Sequence, residues 1–342
     1  MLKKLITLSA FAGCAFSAKA QDTIAGSVFM ISGSADTYYK YDLSGYKLGN
    51  ISTSFANENN SVSLGMLDIS LKKTAGKTSF TGEVSFGPRG QGQSLLPDET
   101  GNSFHIQNLN ISYAFTDKFS VTAGFMGTFV GYELIVPTAN VNYSTSYLFS
   151  NGPFQNAGIK ANYTFSENAA LMIGLFNDWN VYQDFNGVSD FGAQLFVSPV
   201  PGWNAYLNVI TGYPSGTEYD ITTSYQISDD FKLGLNAADY TKPDKDDGGF
   251  TGIALYPQYT FSDNFTLGFR GEYFKAKKGM DMIGISAGNE VFSSTLSANF
   301  KAGGLTFIPE FRLDKGAAMF LRENGSTAKT ASQFLLAAVY SF

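Results

Sequence analysis

The stretch that decides the fold is TFSDNFTLGFRGEYF, residues 260–274. Apolar and polar side chains alternate along it, with Phe265 and Leu267 on one parity and Thr266 and Arg270 on the other. Successive side chains of a β-strand point to opposite faces, so the pattern predicts a strand with one apolar and one polar face. The polar tripeptide SDN within the stretch is typical of a tight hairpin turn.

The same unit recurs along almost the whole chain. About sixteen alternating segments of roughly ten residues are separated by connections of two kinds. Short polar turns lie at 74–77, 116–118, 166–168, 198–202, 228–230, 262–264 and 302–304. Longer connections alternate with them, at 43–60, 87–103, 131–155, 177–189, 212–218, 240–250, 275–290 and 315–330. Because antiparallel strands reverse direction at each connection, we expect the short turns on one rim and the long loops on the other.

Two all-β architectures repeat at about this spacing. A β-propeller packs four short strands into about 40–45 residues, and its connections do not sort by length. A transmembrane barrel has an even number of strands of about 9–11 residues, an apolar outer band with aromatic girdles, a polar lumen, short periplasmic turns and long extracellular loops. The sequence therefore predicts an all-β fold, a transmembrane antiparallel β-barrel of about sixteen strands. Outer-membrane lipid would then cover the aromatic faces.

The first residues are typical of an export signal. Two lysines precede an apolar run that ends in the tripeptide AKA, which predicts a signal peptide at 1–20 and a single barrel domain at 21–342. A lipoprotein processing box ending at Cys14 is a weaker interpretation of the same residues. Cys14 is the only cysteine, so the exported chain is expected to carry no thiol, disulfide or cysteine metal site.

The overall composition excludes one class of partner. The net charge is -6, whereas a nucleic-acid-binding protein needs a basic face. Aromatic residues make up 15% of the 342 residues, which favours strands over helices.

The final segment alternates in the same way as the others. Phe334, Leu336, Ala338, Tyr340 and Phe342 share one parity. An amphipathic last strand that ends in Phe is similar to the signal by which the barrel assembly machinery recognises outer-membrane barrels. This machinery is therefore an expected partner during biogenesis.

Several stretches together resemble a known family. They include ISGSADTYYKY from residue 31, SFHIQNLNISYAF from 103, YSTSYLFSNGPFQNAGIKANY from 143 and GLFNDWNVYQDFNGVSDFGAQLF from 174. These stretches are similar to the putative β-barrel porin-2 (OmpL-like) family of outer-membrane proteins. The resemblance spans nearly all of the chain after residue 20. It implies a porin-like barrel in the cell outer membrane and identifies no binding residues.

Three motifs have a chemical interpretation beside a plainer one. Ser103 and His105 share a parity near the outer rim, as in barrel phospholipases, but no recognisable partner completes a catalytic site. The run DKDDGG at 244–249 has oxygen ligands that suit calcium, yet a solvated loop tip explains it better. GPRG at 87–90 lacks the helix that follows a phosphate-binding loop, which favours a tight bend. We predict no enzyme activity, no metal and no cofactor.

The third long connection, residues 131–155, differs from the others. It is the longest, and Glu133 is its only charged residue. Loops that face bulk water are seldom so apolar, and the third long loop of general porins folds into the lumen. We predict a constriction loop that presents Glu133, Tyr143, Tyr147 and Phe149. A loop packed over the barrel mouth or against a partner stays an open alternative.

Charged residues of the polar parity fall near mid-height of their strands. They are Glu83, Lys160, Arg270, Glu272, Glu310 and Arg312. Mixed charges at mid-lumen sort solutes by size and polarity, so we predict that these six side chains line the pore. Arg270 and Glu310 should face each other across one intervening strand, and the acidic balance of the lumen predicts a weak cation preference.

The sequence thus favours an outer-membrane porin, a passive diffusion channel for small hydrophilic solutes. The alternative is a non-transporting barrel that serves as a scaffold or accessory subunit of an outer-membrane assembly. A membrane hydrolase using His105 is a much weaker third. Whether the barrel forms a homo-oligomer or joins a larger outer-membrane complex stays open.

Overall fold

The computed structural model describes residues 29–89 and 104–342. The predicted signal peptide, Gly90 and Ser103 lie outside the described residues. Sixteen antiparallel strands close into one barrel, which confirms the predicted fold class. In the two described ranges, no helix is long and apolar enough to cross a membrane.

The strands follow one another around the barrel in sequence order. They are β1 (Met30–Asp42), β2 (Ser61–Ala75), β3 (Thr78–Phe86), β4 (Phe104–Ala114), β5 (Phe119–Gly127), β6 (Gln155–Ser166), β7 (Ala169–Phe176), β8 (Asp190–Val197), β9 (Trp203–Gly212), β10 (Gly216–Gln226), β11 (Phe231–Lys242), β12 (Gly248–Ser262), β13 (Phe265–Ala276), β14 (Glu290–Ala302), β15 (Leu305–Leu321) and β16 (Thr327–Ser341). A 3₁₀ turn at Pro137–Ala139 and a short helix α1 at Tyr147–Asn151 interrupt the connection between β5 and β6.

The barrel closes where β1 pairs with β16. Asp36 lies opposite Val339 in this antiparallel ladder. Beyond the ladder, the Gly33 N–H donates to the Phe342 carbonyl, and the Phe342 N–H donates back, each at 3.0 Å. A side chain on Gly33 would collide first with the Asp68 carbonyl on β2 and then with the Phe342 ring, so there is no room for one beside this seam.

Alternate side chains lie on opposite sides of the barrel wall, as the sequence pattern predicts. Phe269 and Phe311 point outward and remain exposed. Arg270 and Arg312, one residue along each strand, point inward and are buried. A one-residue slip would exchange the two sets, so the positions of the charges fix the register of each strand.

Aromatic rings form a belt on the outer surface at the rim of short turns. Phe265 stacks between Phe261 and Phe300, with ring centres 5.2 and 4.8 Å apart. Trp203 lies 5.8 Å from Tyr225 further around the same rim. Such belts mark the boundary between an apolar layer and water in membrane barrels.

Three connections differ from the prediction. The connections at 213–215, 243–247 and 322–326 are short, so long and short connections do not alternate throughout. The strands continue into residues that the sequence assigned to loops, and Lys315 still pairs with Thr330. Polar side chains near a rim reflect exposure to water, while the backbone ladder continues beneath them.

The lumen is not polar throughout, which corrects a second expectation. Inward residues of β11 to β16, Phe250 and Tyr256 among them, pack with Tyr147 in one apolar cluster. Tyr38 of β1 and inward residues of β15 and β16 form another with Tyr143. These inward apolar side chains are covered by residues of the connections, so they avoid water.

Candidate functional site

The connection between β5 and β6, residues 128–154, enters the barrel and is called the luminal loop below. It first touches β8, where Gln194 Nε2 donates to the Phe129 carbonyl at 2.9 Å. The Gly131 N–H then donates to Asp220 on β10 at 3.2 Å. The loop therefore follows the inner wall toward β11.

A buried ion pair holds the loop against β13. Arg270 Nη1 lies 2.6 Å from Glu133 Oε1, and both side chains are buried. The same guanidinium donates to the backbone carbonyls of Ser144 and Thr145, at 2.6 and 3.2 Å. Arg270 thus joins the beginning of the loop to its middle. Charge-assisted hydrogen bonds of this kind are the strong ones in proteins.

Two carboxylates receive the N–H groups at the start of helix α1. Ser146, the N-cap, donates its backbone N–H and hydroxyl to Glu133 Oε2 at 2.8 and 2.7 Å. Glu272 of β13 accepts the N–H groups of Tyr147 and Leu148 at 3.0 and 2.8 Å. The first N–H groups of a helix lack partners within the helix, so these carboxylates fix where α1 lies.

The wall formed by β15 supplies further anchors. Glu310 Oε2 accepts the Tyr143 N–H at 2.8 Å, and Arg312 Nη1 donates to the Thr145 carbonyl at 2.8 Å. The Tyr147 hydroxyl donates to Asp314 at 2.7 Å. Burial, and secondarily the neighbouring Asp314 carboxylate, raises the pKa of the Tyr147 phenol well above its ordinary value, so this donor stays protonated.

Other connections lock the loop from its far side. The Ser54 N–H donates to Ser150 Oγ at 3.0 Å, and Ile283 N–H donates to Asn151 Oδ1 at 2.7 Å. Arg89 donates to the Ile135 carbonyl at 3.4 Å. Segments from the first, second, third and seventh of the predicted long connections therefore interlock inside the barrel.

The predicted loop residues lie inside the barrel. Glu133, Tyr143, Tyr147 and Phe149 are all buried, and the first three bond to side chains of the inner wall, Tyr143 through Asp36 as well. The loop that carries these residues is therefore bonded to the inner wall of the barrel. Whether this loop narrows the flow of solutes stays a prediction.

The six predicted pore-lining residues fall into two groups. Arg270, Glu272, Glu310 and Arg312 are at most 3% exposed and lie beneath the luminal loop instead of facing open water. Glu83 and Lys160 lie on β3 and β6 and stay partly exposed. Glu83 accepts the Asn108 side-chain amide at 2.7 Å.

The inner surface thus has two unlike parts. The covered wall comprises β11 to β16 and β1, against which most of the luminal loop packs. Only the beginning of the loop also bonds to Gln194 of β8 and Asp220 of β10. The open wall comprises β3 to β9, where Ser112, Lys160 and Asn162 face the lumen and are partly exposed in the half nearer the short turns. Toward the rim of long connections, His105 and Asn156 are buried. The part of this wall that water reaches is therefore the half nearer the short turns.

Two anchors were not singled out by the sequence. Asp36 lies 3.8 Å from Arg89, whose guanidinium also stacks on the rings of Phe55 and Tyr143 at 4.6 and 4.8 Å. The GPRG motif was interpreted as a loop bend, and the Arg within it proved to be a luminal contact. A charged residue in an otherwise small, turn-forming motif was the available signal.

The candidates for catalysis and metal binding gain no support. His105 faces inward from β4 and is buried, whereas a lipid-facing catalyst would point outward. Across residues 29–89 and 104–342, no group of three or more His, Cys, Asp or Glu side chains is arranged to hold a metal ion.

Comparison of the sequence with known protein families identifies the family of this chain. The model of the family "Putative beta-barrel porin-2, OmpL-like" matches residues 29–342. The chain belongs to this family, and it is an outer-membrane porin, a diffusion channel by class. Among curated protein sequences none matches it.

Solved porins share the fold at low sequence identity. The anion-selective porin of Comamonas acidovorans is 13% identical, with a TM-score of 0.61 over 93% of this chain and 100% of that one. OmpF of Salmonella typhi, in complex with daunomycin, is 11% identical, with a TM-score of 0.62 over 92% and 97%. OprB of Pseudomonas putida is 11% identical, with a TM-score of 0.59 over 93% and 94%.

Proposed function

We propose that this porin lets small hydrophilic solutes diffuse passively along the open wall, past the luminal loop. The observation that carries the proposal is the attachment of the loop to inward-facing Arg270, Glu272 and Glu310. A segment fixed inside the barrel occupies part of its cross-section. Solutes would then pass between the loop and the polar residues opposite.

Glu83 and Lys160 remain the predicted pore-lining charges. They face the lumen from the open wall, and neither lies beneath the described contacts of the luminal loop. Arg270, Glu272, Glu310 and Arg312 act on solutes indirectly in this proposal, because they hold the loop that sets the width. A passive path of this kind involves no chemical step, and we infer no enzyme activity.

The route to the membrane belongs to the same proposal. A signal peptide at 1–20 would direct export, the barrel assembly machinery would insert the barrel, and lipid would cover the outer aromatic belt. One neighbour, OmpT of Vibrio cholerae, is described in a trimer form, with a TM-score of 0.57 and 13% identity over 92% of this chain and 99% of that one. A homo-oligomer is therefore part of the proposal.

Conductance in planar bilayers tests the function directly. We expect ohmic single-channel steps from the purified protein and larger steps after deletion of residues 135–150. Heat-modifiable gel mobility verifies that both proteins are folded. A folded barrel that never conducts would support the scaffold alternative, and unchanged steps after the deletion would show that the loop does not narrow the pore.

A further inference from the structure

Three glycines of the covered wall face the lumen on neighbouring strands. They are Gly234 on β11, Gly252 on β12 and Gly268 on β13. Glycine in a strand interior weakens the strand and commonly marks a place where another group approaches closely. None of the three has a backbone conformation in the left-handed region, so an ordinary side chain would be compatible with the backbone. Space, and not conformation, excludes a side chain here.

Gly268 receives Val141 of the luminal loop. A Cβ at Gly268 would lie 2.2 Å from Val141 Cγ2, 2.9 Å from Cγ1 and 3.1 Å from Cβ. Rotation of the Val141 side chain cannot relieve all three contacts. The Val141 carbonyl also accepts from Asn299 Nδ2 at 2.9 Å, which fixes the backbone at this point.

Gly234 and Gly252 receive two further loop side chains. A Cβ at Gly234 would lie 2.2 Å from the Tyr132 hydroxyl oxygen, and the Tyr132 ring is stacked on Tyr256 at 4.4 Å. A Cβ at Gly252 would lie 2.9 Å from Leu148 Cδ2 and also 2.9 Å from the Tyr273 carbonyl oxygen of the neighbouring strand. The three contacts come from the beginning, middle and helical parts of the loop.

We infer that Gly234, Gly252 and Gly268 are seats that set how close the luminal loop lies to the wall, and so set the width of the pore. This inference rests on the proposed function of the loop as a constriction. The hydrogen bonds to Arg270 and Glu310 define which wall residues the loop contacts. The glycines define its distance from that wall, because a side chain at Gly234 or Gly268 would meet only loop atoms among its nearest neighbours and would displace the loop toward the open wall or release it.

The seats can be tested by the accessibility of a buried loop position. Ser144 is a buried residue of the luminal loop itself and is replaced by Cys in a Cys14→Ser background, so that the protein carries one thiol. Labelling by a water-soluble maleimide then reports release of the loop. We expect Gly268→Ala and Gly234→Ala to speed labelling about tenfold, because overpacking favours the displaced loop.

Two further variants separate a seat from general damage. Gly127→Ala is the matched control, because Gly127 ends a strand with ordinary backbone geometry and nothing within 4 Å of an added Cβ. It should leave the labelling rate unchanged. Adding Val141→Ala to Gly268→Ala removes the two closest contacts and should restore slow labelling.

The outcomes distinguish this inference from the proposed function. The inference that the glycines are seats would be contradicted by unchanged labelling rates in both Gly268→Ala and Gly234→Ala. It would also be contradicted if Val141→Ala failed to restore slow labelling of Gly268→Ala. Faster labelling with unchanged single-channel conductance would support the role of the glycines as seats and would contradict the proposal that the loop narrows the pore. Faster labelling with altered conductance supports both.

Discussion

The covered wall and the open wall share one backbone architecture and one outer surface, and they differ in what meets their inner faces. On the covered wall, inward charges such as Arg270 and Arg312 bond to the luminal loop and are buried. On the open wall, Glu83 and Lys160 occupy comparable positions and stay partly exposed. The same alternation of charged and apolar residues thus serves anchoring on one side and contact with water on the other.

The difference shows that a charge inside a barrel has no fixed role. A buried charge is costly unless it is paired and hydrogen-bonded. The covered wall meets this condition with Glu133, carbonyl groups and helix N–H groups from the loop. The open wall meets it with water together with neighbouring polar groups, such as the Asn108 amide that donates to Glu83. Mutations on the two walls should therefore change the free energy of unfolding by different amounts.

The largest contrast is expected from removing one charge on each wall. Arg270→Ala leaves Glu133 buried without its partner and should lower the free energy of unfolding by about 3–5 kcal/mol. Lys160→Ala on the open wall should cost about 1 kcal/mol or less, because this side chain is only partly buried. Urea titrations in lipid vesicles measure both values. Equal losses of unfolding free energy in the two variants would contradict the distinction between the walls.

A smaller effect is expected on the outer surface, where the walls should behave alike. Phe269→Arg on the covered wall and Leu195→Arg on the open wall should each cost about 2–4 kcal/mol near the membrane midplane. Thr266→Arg, which points into the lumen from the same strand as Phe269, should be tolerated. The same titrations apply, and a cost that depends on the wall would mean that lipid does not cover both outer faces.

The smallest effect concerns ion selectivity. Glu83→Gln should reduce the expected cation preference, and Lys160→Gln should increase it, because we propose that both charges line the path of the solutes. Glu272→Gln beneath the loop should leave the reversal potential unchanged. Reversal potentials in a salt gradient measure these shifts, which should vanish near 1 M salt, where the Debye length is about 3 Å. A reversal potential that shifts only in Glu272→Gln would mean that solutes pass along the covered wall instead of the open wall.

The sequence predicts the barrel wall better than it predicts the residues that fill the lumen. Alternation around Phe269 and Arg270 is a local property of one strand, so it assigns inside and outside correctly. The burial of Arg270 depends on a loop more than a hundred residues earlier in the chain, which strand periodicity does not encode. The low charge of residues 131–155 was the one local signal that this segment avoids bulk water.

One strand carried a second signal that alternation alone obscures. β12 is apolar on both parities, with Ile253 and Leu255 outward and Phe250, Ala254 and Tyr256 inward. A strand that is apolar on both faces is covered on both faces. That pattern indicates a packed lumen next to β12, although it does not identify the residues that pack there.

The seam between β1 and β16 constrains how the chain can be made. Every other strand pair joins neighbours in sequence, whereas Asp36 must meet Val339. A partly synthesised chain therefore has two unpaired strand edges, and such edges invite pairing with other chains. Ladder formation between distant segments is also slow. Closure of the cylinder therefore cannot precede synthesis of the last strand, and until then both open edges have to be kept from pairing with other chains.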